Sequence, residues 1–138
     1  MPAWKAAILE VETHLGWSRE RRAQIVLRLD GGFGTTEILN WLLSRGYQVV
    51  AKISNHGRVQ KLRQAIGPWQ PTSSPGREMA AILRPHRFCR TTRQWVIRTP
   101  QEPGGYHYAV LLTTVPDLEP AALADAYDGR AMIEIIQS

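Results

Sequence analysis

The sequence predicts an α/β fold, on three observations. Residues 24–53 run strand, tight turn, helix, strand. Two β-rich runs, 94–98 and 106–115, flank the turn-forming Pro103-Gly104-Gly105. Helix-like apolar spacing appears at both ends of the chain.

Taken in order, Trp4, Ile8, Val11 and Leu15 recur at i, i+4, i+7 and i+11, one face of an amphipathic helix, and Gly16 stands where a left-handed residue ends it. A charged connector, Ser18 to Arg22, leads into Gln24–Asp30, where Ile25, Leu27 and Leu29 alternate to one side as in a strand. Asp30 closes that strand. Gly31-Gly32-Phe33-Gly34 makes the turn, and Thr35 or Thr36 caps a helix whose Ile38, Leu39, Leu42 and Leu43 share a face up to Gly46. Tyr47 to Ile53 is a second, Val-rich strand, expected to lie parallel to the first. Arg58 to Ile66 forms a short helix with Val59, Leu62 and Ile66 inward. Pro71 to Gly76 is a loop, and the two β-rich runs beyond it form an antiparallel hairpin. Pro116 and Pro120 precede a segment expected to be helical from Ala121 to Ser138.

With 138 residues, 43% of them hydrophobic, the chain has the size and apolar content of one globular domain. No run approaches the ~20 apolar residues of a membrane helix, and a cytoplasmic protein is expected. A single cysteine, Cys89, excludes an internal disulfide and argues against structural zinc, since His86 and Cys89 form an H-x-x-C pair with no second pair. Gly31-Gly32-Phe33-Gly34 fits neither glycine pattern of the nucleotide phosphate cradles.

The net charge of +5 is unevenly spread. Residues 1–44 are neutral, and 99–138 carry a net of −5. Residues 45–98 hold eleven cations against Glu78 alone, a net of +10. Cations concentrated in this way suit a polyanion, because each neutralised phosphate releases condensed counterions. A solvated arginine-rich face is the other reading of the same residues.

Within the final segment, Tyr127, Arg130 and Glu134 fall at i, i+3 and i+7, so on a continuous helix a phenol, a guanidinium and a carboxylate emerge along one stripe. This Y-x2-R-x3-E pattern, downstream of a strand ending Leu27-Arg28-Leu29-Asp30-Gly31-Gly32-Phe33-Gly34, resembles the bacterial insertion-sequence transposases of the DDE type. The segment Arg28–Gly34, its helix and Tyr47–Lys52 look like that family's second-Asp region. The resemblance covers essentially the whole chain.

It implies an incomplete RNase H-like fold forming part of a catalytic domain over 1–138. Residues 1–67 would be a helix plus the βαβ core with Asp30, 68–116 a small β-rich insertion, and 117–138 a truncated C-terminal catalytic helix. Asp30 and Glu134 would be catalytic and hold Mg²⁺, in the family a two-metal site for in-line displacement at phosphorus. Tyr127, Arg130, Lys52, Arg58 and Lys61 would contact DNA, the guanidinium fork matching phosphate geometry. The partner implied is DNA at insertion-sequence ends, with a homodimer formed through the missing parts of a full-length protein.

Two departures bear on activity. No Asp precedes Asp30, whereas the family's first catalytic Asp lies on an earlier strand, and the family's Lys seven residues after the Glu would fall at position 141. A chain inactive alone in DNA cleavage and strand transfer is therefore expected. The alternative is a non-catalytic DNA-binding remnant of a decayed insertion sequence.

Overall fold

The computed structural model describes residues 1–29, 35–127 and 133–135. The elements are α1 (Ala3–Leu15), α2 (Arg19–Arg22), β1 (Ile25–Leu29), α3 (Thr36–Ser44), β2 (Gln48–Ile53), α4 (His56–Leu62), β3 (Gln70–Pro71), β4 (Glu78–Ala81), β5 (Arg93–Pro100), β6 (Tyr106–Thr113), α5 (Pro120–Tyr127) and β7 (Ile133–Ile135).

They build a mixed α/β structure on one seven-stranded sheet of order β3-β4-β5-β6-β2-β1-β7. β1 and β2 pair in parallel, Val26 beside Gln48 and Leu29 beside Ala51, as the strand-helix-strand order requires. Every other pairing is antiparallel. The β-rich region is continuous with this sheet: β6 pairs with β2 from Val50–Thr113 to Ile53–Val110, and β5 pairs with β6 along its whole length. Both faces of the central strands are buried, which is why their sequences are nearly unbroken apolar runs. Val49, Ala51, Ile53, Val96, Val110 and Leu112 pack against Leu39 and Leu43 of α3 and Val59 and Leu62 of α4. Val26, Val50, Trp95, Ile97 and Leu111 meet Leu123 and Ala124 of α5 on the other side.

Local capping sets the helix starts. The Thr35 hydroxyl accepts from the Ile38 N–H (3.2 Å), and Asn55 accepts from the Arg58 N–H (3.0 Å). The Asn55 cap opens α4 at His56, two residues before the expected start. Gly16 ends α1 in the left-handed conformation at φ 65°, which a residue without Cβ adopts without strain.

Two expectations are corrected. On α1, Trp4 and Ile8 pack inward, Trp4 edge-on to Trp41 at 5.2 Å, but Val11 and Leu15 are exposed. The inward stripe continues instead through Glu12, one turn after Ile8, because the surface it meets is polar. The second correction concerns 117–138, which is not one helix. Among the described residues α5 runs Pro120–Tyr127, and Ile133–Ile135 is a strand whose Glu134 lies opposite Val26 of β1. The β-branched Ile133 and Ile135 suit an edge pairing with β1.

Candidate nucleic-acid interface

Of the expected metal-site carboxylates, only the backbone of Glu134 falls among the described residues. Asp30 lies outside them. Glu134 belongs to β7, where its backbone is opposite Val26 rather than beside the C-terminal end of β1 at Leu29. Tyr127 is the last residue of α5, Arg130 lies outside the described residues, and Tyr127 and Glu134 do not share one helix.

The basic stretch 45–98 divides into cations engaged within the fold and cations left to solvent. Arg45 pairs with Glu12, and Arg98 with Glu78 at 2.7 Å while lying 4.0 Å from the Trp69 ring centre. Arg63 covers the Tyr108 ring at 3.8 Å. Arg93 donates to the carbonyls of Val115 and Leu118, both at 2.7 Å, and Arg90 to that of Tyr47 at 2.7 Å. These guanidiniums satisfy backbone oxygens and aromatic faces, so they are structural.

Arg58, Lys61, Arg84 and Arg87 differ. Among the described residues no carboxylate forms an ion pair with any of them, and all but the half-buried Arg58 are exposed. Arg58 and Lys61 stand three apart on α4, whose Val59 and Leu62 face the core, so both lie along its outer side. Lys52 does not join them. Alternation along β2 directs Val49, Ala51 and Ile53 toward α3 and α4, and Val50 and Lys52 toward the α5 side. Of the three cations read as DNA contacts in the middle of the chain, the structure thus brings two together.

The segment that carries Arg84 and Arg87 adjoins α4, the Leu83 N–H donating to the Ala65 carbonyl at 2.8 Å and His86 lying between the two arginines in sequence. Burial, followed by the positive charges of Arg58 and Lys61, holds the His86 imidazole below the usual histidine range, so the ring is neutral at neutral pH. Its Nε2 lies 3.1 Å from the Thr36 hydroxyl at the start of α3. His86 belongs to segment 84–92, which curls around a cleft of about 550 Å³. The segment is tied down along α3 by contacts at Thr36, Asn40 and the C-terminal end: the Cys89 N–H donates to Asn40 Oδ1 (2.8 Å), and Arg90 reaches the Tyr47 carbonyl.

Sequence reading gave Arg84 and Arg87 no individual role and left His86 and Cys89 without one. Thr36, Asn40 and Leu43, at i, i+4 and i+7 on α3, carried a usable signal, since two polar residues on one stripe of an otherwise apolar helix point to a polar neighbour.

The anchor of this segment is Gln94, only 4% exposed. It accepts from the His86 N–H (3.0 Å) and donates to the His86 carbonyl (2.7 Å) and the Thr92 hydroxyl (2.8 Å). Gln94→Ala leaves buried backbone groups unpaired and is expected to cost about 2 kcal/mol in urea unfolding. Faster amide exchange at His86 should accompany it. Unchanged exchange there would show that the segment is held by other contacts.

The fold and this surface define a class: a mixed α/β protein with a cationic face over α4 and the 84–92 segment. A scan against family models finds no match, and searches of curated proteins and of solved structures find no similar chain. No helix among the described residues is long and apolar enough to cross a membrane.

Proposed function

We propose that this chain is a DNA-binding module of DDE-transposase lineage with an RNase H-like core, non-catalytic by itself. The observation that carries DNA binding is the set of four cations, Arg58 and Lys61 on α4 and Arg84 and Arg87 on the adjoining 84–92 segment, with no carboxylate among the described residues in an ion pair with any of them. Uncompensated like charge costs stability through self-repulsion and is relieved by a polyanion. The transposase lineage rests on the Asp30 turn motif and the Y-x2-R-x3-E pattern of Tyr127, Arg130 and Glu134. In a complete enzyme of that type, DNA cleavage and strand transfer at insertion-sequence ends would require a third carboxylate beside Asp30 and Glu134, with Mg²⁺.

Fluorescence anisotropy of a labelled 20-base-pair duplex tests the binding. Affinity should fall steeply between 50 and 200 mM salt, with little dependence on sequence. Arg58→Gln with Lys61→Gln should flatten the log–log salt slope by about 1.8, the value for two lost phosphate contacts. An affinity indifferent to salt would exclude backbone recognition.

A further inference from the structure

We infer that segment 84–92 is a preformed phosphate-binding loop, in which Arg84 and Arg87 grip the phosphodiester backbone of a DNA strand that also passes Arg58 and Lys61. This rests on the DNA-binding reading above and deepens it by naming a second determinant, on a different part of the chain.

The loop's own polar groups divide into anchors and projections. The half-buried His86 and Arg90 and the backbone N–H of the exposed Cys89 are held by Thr36, Gln94, Asn40 and the Tyr47 carbonyl. Arg84 and Arg87 are the exposed cations left over, three residues apart on the wall of the cleft. Nothing among the described residues gives them a carboxylate. A loop without regular secondary structure would ordinarily lose much conformational entropy on binding a ligand. This one has already done so in folding, so only the side chains of Arg84 and Arg87 have to be ordered to meet a phosphate.

Continuity with α4 follows from contacts at both ends of the loop: the Leu83 N–H, next to Arg84, donates to the Ala65 carbonyl just beyond α4 at 2.8 Å, and Phe88, next to Arg87, packs on the core cluster of Val59 and Leu62. The four cations therefore bracket one path, with two contributed by each side. A cleft lined by Arg84, His86, Arg87 and Thr91 offers guanidinium and hydroxyl donors of the kind that phosphate oxygens accept from. Arginine matters here for its fork, so lysine at 84 and 87 should restore charge without restoring full affinity.

The test uses the full chain and the same labelled duplex. Arg84→Gln with Arg87→Gln, at exposed positions, should not lower the melting temperature, and should weaken binding on the order of tenfold at 100 mM salt and lower the salt slope by about 1.8. The charge-matched control is Arg19→Gln with Arg21→Gln on α2, exposed cations outside both the loop and α4 that donate to the Ser44 carbonyl and to Gln24. It should weaken binding about twofold at most. Equal losses in the two variants, or wild-type affinity in the loop variant, would overturn the inference while leaving DNA binding intact. Failure of the unsubstituted protein to bind would overturn the DNA-binding reading and this one with it.

Discussion

Replacing Glu12 by alanine is expected to destabilise the protein by about 3 kcal/mol. Glu12 is 6% exposed and stands at the centre of a polar cluster that joins α1 to the turn between α3 and β2. Its carboxylate receives the Tyr47 hydroxyl at 2.7 Å and Arg45 through Nε (3.3 Å) and Nη2, with Arg22 Nε 3.8 Å away. Removing it leaves the Arg45 guanidinium and a buried phenol without their acceptor, while Arg22 keeps the Arg45 and Trp17 carbonyls, and breaking a buried pair on one side costs about 3–5 kcal/mol. The lower end applies because Arg45 retains about a third of its side-chain exposure and is partly screened by water. Exchanging Glu12 and Arg45 together for leucine and methionine should recover part of the loss, since neither charge is then stranded. A Glu12→Ala protein as stable as the parent in urea would sink this account.

The same cluster gives a pH dependence of defined sign. Burial by itself raises the Glu12 pKa. The hydrogen bonds from Arg45 and Tyr47 and the charges of Arg45 and Arg22 outweigh it, holding the carboxyl below the usual glutamate range. Burial and the bond to Glu12 push the Tyr47 phenol up, so it remains a donor. The folded state thus binds the Glu12 proton less readily than the unfolded chain does. Its contribution is complete above the ordinary glutamate pKa of about 4.3 and is lost as pH falls through the depressed folded value. Stability of wild type and Glu12→Ala should therefore converge below about pH 4.

Leu123→Ala should cost about 3 kcal/mol and lower Tm by roughly 10 °C. Leu123 is fully buried, and with Ala124 it is how α5 meets Val26, Val50 and Leu111. Beyond that contact, α5 is tied by an exposed hydrogen bond from Ser73 to Asp125. The cavity should therefore loosen α5 before the sheet, and limited proteolysis should cut near residue 120 at temperatures where β5 and β6 stay protected. Simultaneous loss of all elements would show that α5 unfolds only with the core.

The sheet's centre and the helices over it were legible because their signals are local. Alternation in 25–29, the Thr35 cap, the period of Ile38 to Leu43 and the Pro103-Gly104-Gly105 turn each act within a few residues, and each element formed where those signals lie. The two-residue β3 and the four-residue β4 were hidden, since so few residues show no period and exist only because β4 found β5. Segment 133–135 was misread as helix for a related reason. An alanine-rich start suggests helix, and the pairing of Glu134 with Val26 joins residues 108 apart. Propensity yields to such non-local pairing.

The candidate site divides along the same line. By itself the sequence determined that residues 45–98 carry a net of +10, and that Arg58 and Lys61 share a side of one helix. Only the tertiary structure decided which cations remain for a ligand. Arg45 meets a carboxylate 33 residues away, Arg90 a carbonyl 43 away and Arg93 a carbonyl 25 away. A guanidinium carries the same charge whether it closes the fold or faces solvent. Its partner, set by chain segments distant in sequence, makes the difference, and residues 84–92 became a surface because α3 and Gln94 hold them in place.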